Sequence, residues 1–188
     1  MKKYIIFCAL FLSLNIFADD FKDGTLAYEK KDYLTAYNKW IGLAVSGNPF
    51  AQINIAVLYQ KGLGVYQSNS EAYRWMLMAA QRGEINAQIN VGVMFQLGNG
   101  VIKDLNRADM WLTIASISKY PGNGLAYMSN NSKDLNSPDV MIYRDANNAS
   151  NRALEMKTAL ETQMSDDDKR IVKNLVTTCM NQMLQNCN

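Results

Sequence analysis

Residues 51–65 read AQINIAVLYQKGLGV, and residues 87–101 read AQINVGVMFQLGNGV. A shift of 36 residues superimposes the two segments, and most of the differences keep the residue type, as in Tyr59 against Phe95. The similarity continues into the residues that follow, where Trp75 aligns with Trp111. Self-similarity at a fixed period of this length is typical of proteins built from stacked helix pairs.

Each copy of the repeat predicts two helices joined by a loop. The first helix covers about residues 49–61, because its apolar residues recur at helical spacing and a glycine-rich stretch ends it. The second helix begins after a capping residue, Ser68 in one copy and Asp104 in the other. Small and aromatic side chains at fixed positions then define the packing between helices. These positions are Ala51, Tyr59, Gly62, Gly64, Ala72, Trp75 and Ala79 in the first copy, and Gly98, Gly100, Ala108, Trp111 and Ala115 in the second.

These strings resemble the Sel1-like repeat, a relative of the tetratricopeptide repeat, with full copies at 49–84 and 85–118. A stretch at 24–48, which contains Ala36, Trp40 and Ala44, is similar to the half-repeat that often precedes full copies. The resemblance implies an all-α fold, a curved α-solenoid of antiparallel helix pairs over residues 19–118. It also implies an adaptor or binder, often one that acts in bacterial export or in the cell envelope.

The first 18 residues have the pattern of a cleavable signal peptide. Lys2 and Lys3 precede an apolar run from residue 4 to residue 14, and Ala18 offers a small residue at the cleavage site. The run is shorter than the roughly 20 residues that a membrane-spanning helix needs. We therefore expect cleavage near Ala18 and a periplasmic or secreted protein of a Gram-negative bacterium.

The composition of the chain argues against several kinds of binding partner and several kinds of catalysis. Lys and Arg number 19 and Asp and Glu number 17, so removal of Lys2 and Lys3 with the leader would leave 17 of each. A neutral domain has no electrostatic attraction for nucleic acid or for a membrane surface. The chain contains no histidine, which excludes histidine-dependent nucleophilic catalysis and imidazole metal sites. We expect no metal, no cofactor, no small-molecule substrate and no membrane insertion after cleavage of the leader.

Two cysteines, Cys179 and Cys187, remain after the leader, and an oxidising compartment favours their pairing. On an unbroken helix they would lie about 12 Å apart, which is too far for a disulfide. A disulfide therefore requires the helix to end near Met183 and the tail to fold back. The alternatives are an intermolecular bridge and two reduced thiols.

The repeat pattern stops after residue 118. Residues 119–148 are rich in Asn, Ser, Gly and Asp and predict an irregular loop, whose tyrosines either hold it against the solenoid or form a recognition surface. Helical spacing returns at 149–188, which predicts a C-terminal pair of capping helices. Three aspartates at 166–168 follow Ser165, and we interpret them as charges that favour a helix N-terminus rather than as a metal site.

The first helix of each repeat is apolar on nearly every side, so part of it is either buried by neighbours or exposed on the concave surface of the stack. An apolar strip with an amide rim suits a helix or an extended segment of a partner protein. The competing interpretation is that long side chains from adjacent repeats cover the strip. The candidate binding residues are Gln52, Ile53, Val57, Gln60, Gln88, Ile89, Val93 and Gln96.

The leading functional hypothesis is a periplasmic adaptor that binds a protein partner and catalyses no reaction. The family resemblance suggests one specific form of it, an immunity protein against a toxin that a type VI secretion system delivers to the periplasm. An envelope scaffold or stress-signalling protein is the alternative. An enzyme resembling the cysteine-rich Sel1-like proteins linked to β-lactams is disfavoured, because those proteins carry a cysteine pair in each repeat and residues 19–178 contain no cysteine.

Overall fold

The computed structural model describes residues 20–118 and 146–182, together with residues 184, 185 and 187. Over these residues the fold is all-α, an α-solenoid type of architecture built of helix pairs without a strand. The predicted leader, and the predicted loop at 119–148 apart from its last three residues, lie outside the described part of the chain. The helices are α1 (20–29), α2 (Tyr33–Val45), α3 (Pro49–Lys61), α4 (Asn69–Gln81), α5 (Ile85–Leu97), α6 (Leu105–Ile117), α7 (Ala146–Glu161) and α8 (Asp166–Asn181).

The first helices of the two repeats, α3 and α5, begin and end where the sequence predicts. Pro49 lies in the first turn of α3, and the Asn48 side chain accepts hydrogen bonds from the backbone N–H groups of the next turn. Gly62 and Gly98 end the two helices with φ values of 66° and 71°, a left-handed conformation that glycine adopts without a steric penalty.

The second helices, α4 and α6, begin at side-chain caps. The hydroxyl of Ser68 accepts the backbone N–H of Glu71 at 3.2 Å, and a carboxylate oxygen of Asp104 accepts that of Arg107 at 2.9 Å. Each cap satisfies a backbone donor that has no partner within the helix. Both bonds confirm the capping residues predicted from the sequence.

The chain divides into two compact units after Ala79. The core of the first unit lies between α1, α2 and α3 and is centred on Trp40, whose indole N–H donates to the carbonyl of Phe21 at 3.1 Å. Lys39 pairs with Asp20 and Asp23 of α1, at 2.7 and 3.2 Å. The stretch predicted as a half-repeat, 24–48, therefore contains the end of α1 and the whole of α2, which pack as a helix pair.

The core of the second unit lies between α5, α6, α7 and α8, with Trp111 of α6 fully buried. Both C-terminal helices pack on α6. The N-terminus of α8 carries a complete capping box between Ser165 and Asp168, and these hydrogen bonds lower the pKa of the Asp168 carboxyl. The three aspartates at 166–168 thus lie in the first turn of a helix, as the helix-dipole interpretation predicts.

Helix α7 takes the place of the first helix of a further repeat. Ala149 and Ala153 are fully buried, as are Ala87 and Val91 at the matching places of α5. The hydroxyl of Ser150 donates to the carbonyl of Ala115 near the end of α6, at 3.3 Å. The C-terminal pair thus continues the packing of the repeats rather than ending it with an unrelated contact.

The C-terminal tail folds back on α8. This helix ends at Asn181, and Leu184 adopts a left-handed φ of 66° while its N–H donates to the carbonyl of Cys179 at 3.1 Å. The turn brings Cys179 and Cys187 into a disulfide with a Cα–Cα distance of 5.0 Å, and both cysteines are buried. The tail is held at one further point, where the Gln81 side chain donates to the carbonyl of Gln185 at 3.1 Å.

Candidate protein-binding surfaces

One face of α3 carries three of the predicted binding residues. Ile53, Val57 and Gln60 follow one another at helical spacing and are half-buried, so each keeps part of its side chain exposed to solvent. The opposite stripe of α3 is fully buried in the core of the first unit and includes Ile55 and Leu58. We refer to Ile53, Val57 and Gln60 as the α3 face.

The corresponding α5 face consists of Val93 and Gln96, which are also half-buried. Ile89, the counterpart of Ile53, is buried in the second unit. Its side chain is therefore withdrawn from the set of exposed binding residues, because a group that packs in the core offers no area to a partner. The α5 face continues beyond the predicted residues to Leu97 at the end of the helix, which is 68% exposed.

Gln52 and Gln88 are the second correction to the predicted surface. They are 2% and 0% exposed, and their side-chain amides donate to the carbonyls of Ala44 and Ala80, at 3.0 and 3.2 Å. Each accepting carbonyl lies near the end of the preceding helix, where backbone acceptors lack a partner within the helix. Ser118 also donates to the amide oxygen of Gln88, at 3.2 Å. These glutamines join consecutive helices and are not available to a partner.

The loops between paired helices expose two large apolar side chains that the sequence analysis did not select. Tyr66 is 96% exposed and Ile102 is 88% exposed, and they occupy equivalent positions 36 residues apart. In the first unit the loop lies against the start of α2, since a Cβ on Gly64 would stand 2.8 Å from the backbone nitrogen of Leu34. The repeat alignment shows an apolar residue at this position in both copies, and this recurrence is the feature of the sequence that could have identified the two exposed side chains.

The two faces differ little in charge. Helix α5 contains no acidic or basic residue, and α3 contains only Lys61, in its last turn. Next to the α3 face, Tyr59 and Tyr37 meet edge to face with their hydroxyl oxygens 3.4 Å apart. This hydrogen bond, assisted by burial, raises the pKa of Tyr59 to about 12. The Tyr59 phenol is thus a neutral hydrogen-bonding group at physiological pH, and the faces suit an uncharged partner surface.

The sequence of the two repeats matches a known family. The family model described as Sel1 repeat matches residues 49–84 and 85–118. The chain carries two Sel1 repeats. The boundaries are those that the sequence analysis gives, and each match contains one first helix, the glycine loop and one second helix. Proteins with Sel1 repeats are generally protein-interaction modules.

Two solved structures share this architecture. A Sel1 repeat protein from Oxalobacter formigenes aligns with 72% of the chain at 30% sequence identity and a TM-score of 0.50. A protective antigen present in uropathogenic Escherichia coli strains, which displays an SLR fold, aligns with 79% of the chain at 22% identity and a TM-score of 0.52. The chain spans 56% and 33% of the lengths of these two proteins, so the likeness concerns their fold. A comparison with curated proteins finds no match.

Two kinds of feature are not found among the described residues. Among them, no helix combines the length and the apolar character required to cross a membrane. Nor does that part of the chain bring together three or more acidic or cysteine side chains in an arrangement suited to a metal ion.

Proposed function

We propose that this Sel1-repeat protein is a protein-binding module and that it contacts its partner through the α3 face and the α5 face. The observation that carries the proposal is the incomplete burial of Ile53, Val57 and Val93 on repeats of an interaction family. These aliphatic groups lie on helices with little charge and offer apolar area that a partner can cover. A partner that covers them would gain roughly 25 cal/mol for each Å² of apolar surface removed from water.

A pull-down from periplasmic extract tests the two faces. The purified protein, without its leader, would be compared with variants that carry Ile53→Asp with Val57→Asp, or Val93→Asp. We expect loss of the captured partner, because burying an unpaired carboxylate in an interface is strongly unfavourable. Leu154→Asp, a similar change at an exposed aliphatic residue of α7, is the matched control and should retain the partner. Retention of the same partner by both face variants would show that these faces are not the binding surface.

We also propose that the protein acts outside the cytoplasm, in the periplasm or as a secreted protein. The leader pattern at residues 1–18 and the buried disulfide between Cys179 and Cys187 both support an oxidising compartment. N-terminal sequencing of the protein recovered from the periplasm should return Asp19 as the first residue. Recovery of full-length chain from the cytoplasm alone would contradict the proposal.

The narrower role is that of an immunity protein against a periplasm-acting toxin of a type VI secretion system. Its support is the family resemblance together with the proposed export. The test is survival of cells that express the toxin encoded next to this gene in their periplasm, with and without this protein. Rescue that is lost with Ile53→Asp and Val57→Asp supports immunity, whereas lack of rescue with an envelope defect after deletion of the gene supports a scaffold.

The proposed module catalyses no reaction, as is typical of interaction scaffolds with this repeat. The chain has one Ser-x-x-Lys spacing that raises the question of β-lactam chemistry, from Ser116 to Lys119, and the lysine lies outside the described residues. The hydroxyl of Ser116 donates to the carbonyl of Thr113 at 2.7 Å, which is an ordinary bond within a helix. Incubation with a chromogenic β-lactam should give no turnover above background.

A further inference from the structure

Asp109 is the most deeply buried acid in the described part of the chain. It lies in the middle of α6 and is 1% exposed. Neither carboxylate oxygen has a hydrogen-bond partner among the described residues. The hydroxyl of Thr113, one turn further along α6, is likewise buried without a partner there. A buried carboxylate with this environment is costly when it is ionised, since no dipole replaces the water that it has lost.

The repeat shows what another side chain does at this place. Positions 37, 73 and 109 are equivalent at the 36-residue period, and the first two are tyrosines. In the first unit Tyr37 packs edge to face against Tyr59 of the next first helix, with ring centroids 6.2 Å apart. On α7 the matching position to Tyr59 is Lys157, when Ala149 is aligned with Ala51. An aromatic contact between consecutive helix pairs is thus replaced by a carboxylate and an ammonium group.

The charges that face Asp109 come from both C-terminal helices. Lys157 and Glu161 lie on α7, Lys169 lies on α8, and α5 carries no titratable residue. Lys157 forms an ion pair with Glu161, and Lys169 forms one with Asp166 at 3.8 Å. Each ammonium group therefore pairs with a carboxylate other than that of Asp109, and neither ammonium group is within hydrogen-bonding distance of Asp109.

We propose that Asp109 makes the packing of the C-terminal helix pair on α6 depend on pH, with tight packing while its carboxyl group is protonated and looser packing once it is ionised. This inference goes beyond the proposed binding function and does not depend on it. Ionisation leaves a charge in an apolar contact, and the charge is relieved when α7 and α8 move enough to admit water. Lys157 can also turn from Glu161 to Asp109 once the contact has opened.

The pKa of Asp109 is raised to about 6, and burial is the largest cause of this shift. The positive charge of Lys157 acts in the opposite direction and lowers the pKa. An acid whose pKa is higher in the folded protein than in the opened chain releases its proton more readily in the opened chain. The packing therefore has its full stability below about pH 4, the range of an unperturbed aspartate, and weakens as pH rises to about 6 and slightly above. The difference between the two pKa values limits the change in the opening equilibrium to roughly a hundredfold.

Amide hydrogen exchange of the full protein without its leader measures this opening. After correction for the intrinsic pH dependence of exchange, we expect the protection of α7 and α8 to fall by about tenfold between pH 5 and pH 8. The α2 and α3 amides of the first unit serve as the internal reference and should change little. Equal protection of α7 and α8 at both pH values would overturn the proposal.

Two variants assign the effect to this carboxyl group. Asp109→Asn should remove most of the pH dependence of protection, whereas Glu155→Gln, at an exposed acid of α7, should leave it as in the wild type. A pH dependence that survives in Asp109→Asn would exclude Asp109 as its source. If Asp109→Asn does not fold, the side-chain carboxyl carbon of Asp109 can be titrated by NMR in the wild type. A midpoint near pH 6 supports the proposal, and one near pH 4 overturns it.

Discussion

The contact between Gly24 of α1 and Trp40 of α2 makes a sharp prediction about the first unit. A Cβ atom added to Gly24 would stand 2.4 Å from the indole nitrogen of Trp40, and two ring carbons would lie within 2.9 Å. Gly42 also lies within a helix but is exposed, and a Cβ atom added there would have no heavy atom within 4 Å beyond its own helix backbone and chain neighbours. The variants Gly24→Ala and Gly42→Ala therefore make the same substitution within a helix, one against a buried indole ring and the other in open space.

The intrinsic effect of both changes is stabilising, because alanine is favoured over glycine in a helix by about 0.5–1 kcal/mol. Gly42→Ala should show this gain. In Gly24→Ala the buried indole of Trp40 has to move, and its hydrogen bond to Phe21 is then distorted or lost. Overpacking costs about 1–3 kcal/mol, and a buried donor left without a partner costs a similar amount. The net loss for Gly24→Ala should be about 2 kcal/mol or more.

Urea unfolding followed by circular dichroism and by tryptophan fluorescence gives both values. The midpoint should move upward in Gly42→Ala and downward in Gly24→Ala, and the fluorescence of Trp40 should change in the native state only in the latter. A Gly24→Ala protein as stable as the wild type would refute the packing of α1 on α2. A loss of similar size in both variants would instead show that the two helices do not tolerate alanine for a reason unrelated to Trp40.

Three further predictions concern the C-terminal tail, the aromatic pair and a buried acid. Replacing both Cys179 and Cys187 with serine should lower the free energy of unfolding by about 2.5 kcal/mol, because the unfolded chain regains the entropy that the short disulfide loop removes. Urea unfolding of the variant and of the oxidised wild type measures the difference. The absorbance titration of Tyr59 should have a midpoint of about pH 12 and shift downward in Tyr37→Phe, which removes the largest cause of its raised pKa. Burial raises the pKa of Glu84, so Glu84→Gln should be more stable than the wild type at neutral pH. The difference in the free energy of unfolding should shrink as pH falls through the pKa of Glu84, and a difference that does not change with pH would contradict this.

The repeats and their helix ends were predictable from the sequence because their determinants are local. Gly62 and Gly98 end helices through their own backbone conformation, and Ser68 and Asp104 cap helices through a bond to a residue three positions later. A 36-residue alignment then places both sets in register. Only the chemistry of neighbouring residues is needed for such assignments.

The predicted binding residues were harder to assign because burial depends on other helices. Gln52 and Gln88 look like surface residues, since a polar amide beside an apolar stripe usually faces solvent. The structure shows that each amide instead satisfies a carbonyl eight residues earlier in the chain. The sequence does not show which carbonyl at a helix end accepts from a glutamine amide, although the recurrence of glutamine in both copies was consistent with a structural role. Ile53 is half-buried and Ile89 is buried although they occupy equivalent positions, because the burial of each depends on the helices packed around it and not on its own sequence neighbours.

Helix α1 was missed because its sequence is a weak helix signal. Gly24 lies in its interior and lowers its intrinsic helix propensity, and no copy of the glycine loop follows it. The same glycine is what allows the backbone of α1 to approach the indole of Trp40. Tertiary packing therefore outweighs local propensity at this position, and a prediction from propensity fails where the packing is tightest.

The C-terminal pair shows which features of the repeat are needed for packing. Helix α7 lacks the aromatic residue and the glycine loop of α3 and α5, and the family match ends at residue 118. It keeps buried Ala149 and Ala153 and a polar side chain, Ser150, that joins it to the end of α6. Small residues that permit close approach and one polar link to the preceding helix are thus features that α7 shares with α5. The aromatic position is free to change, and Asp109 with Lys157 shows that it has become a site of charge.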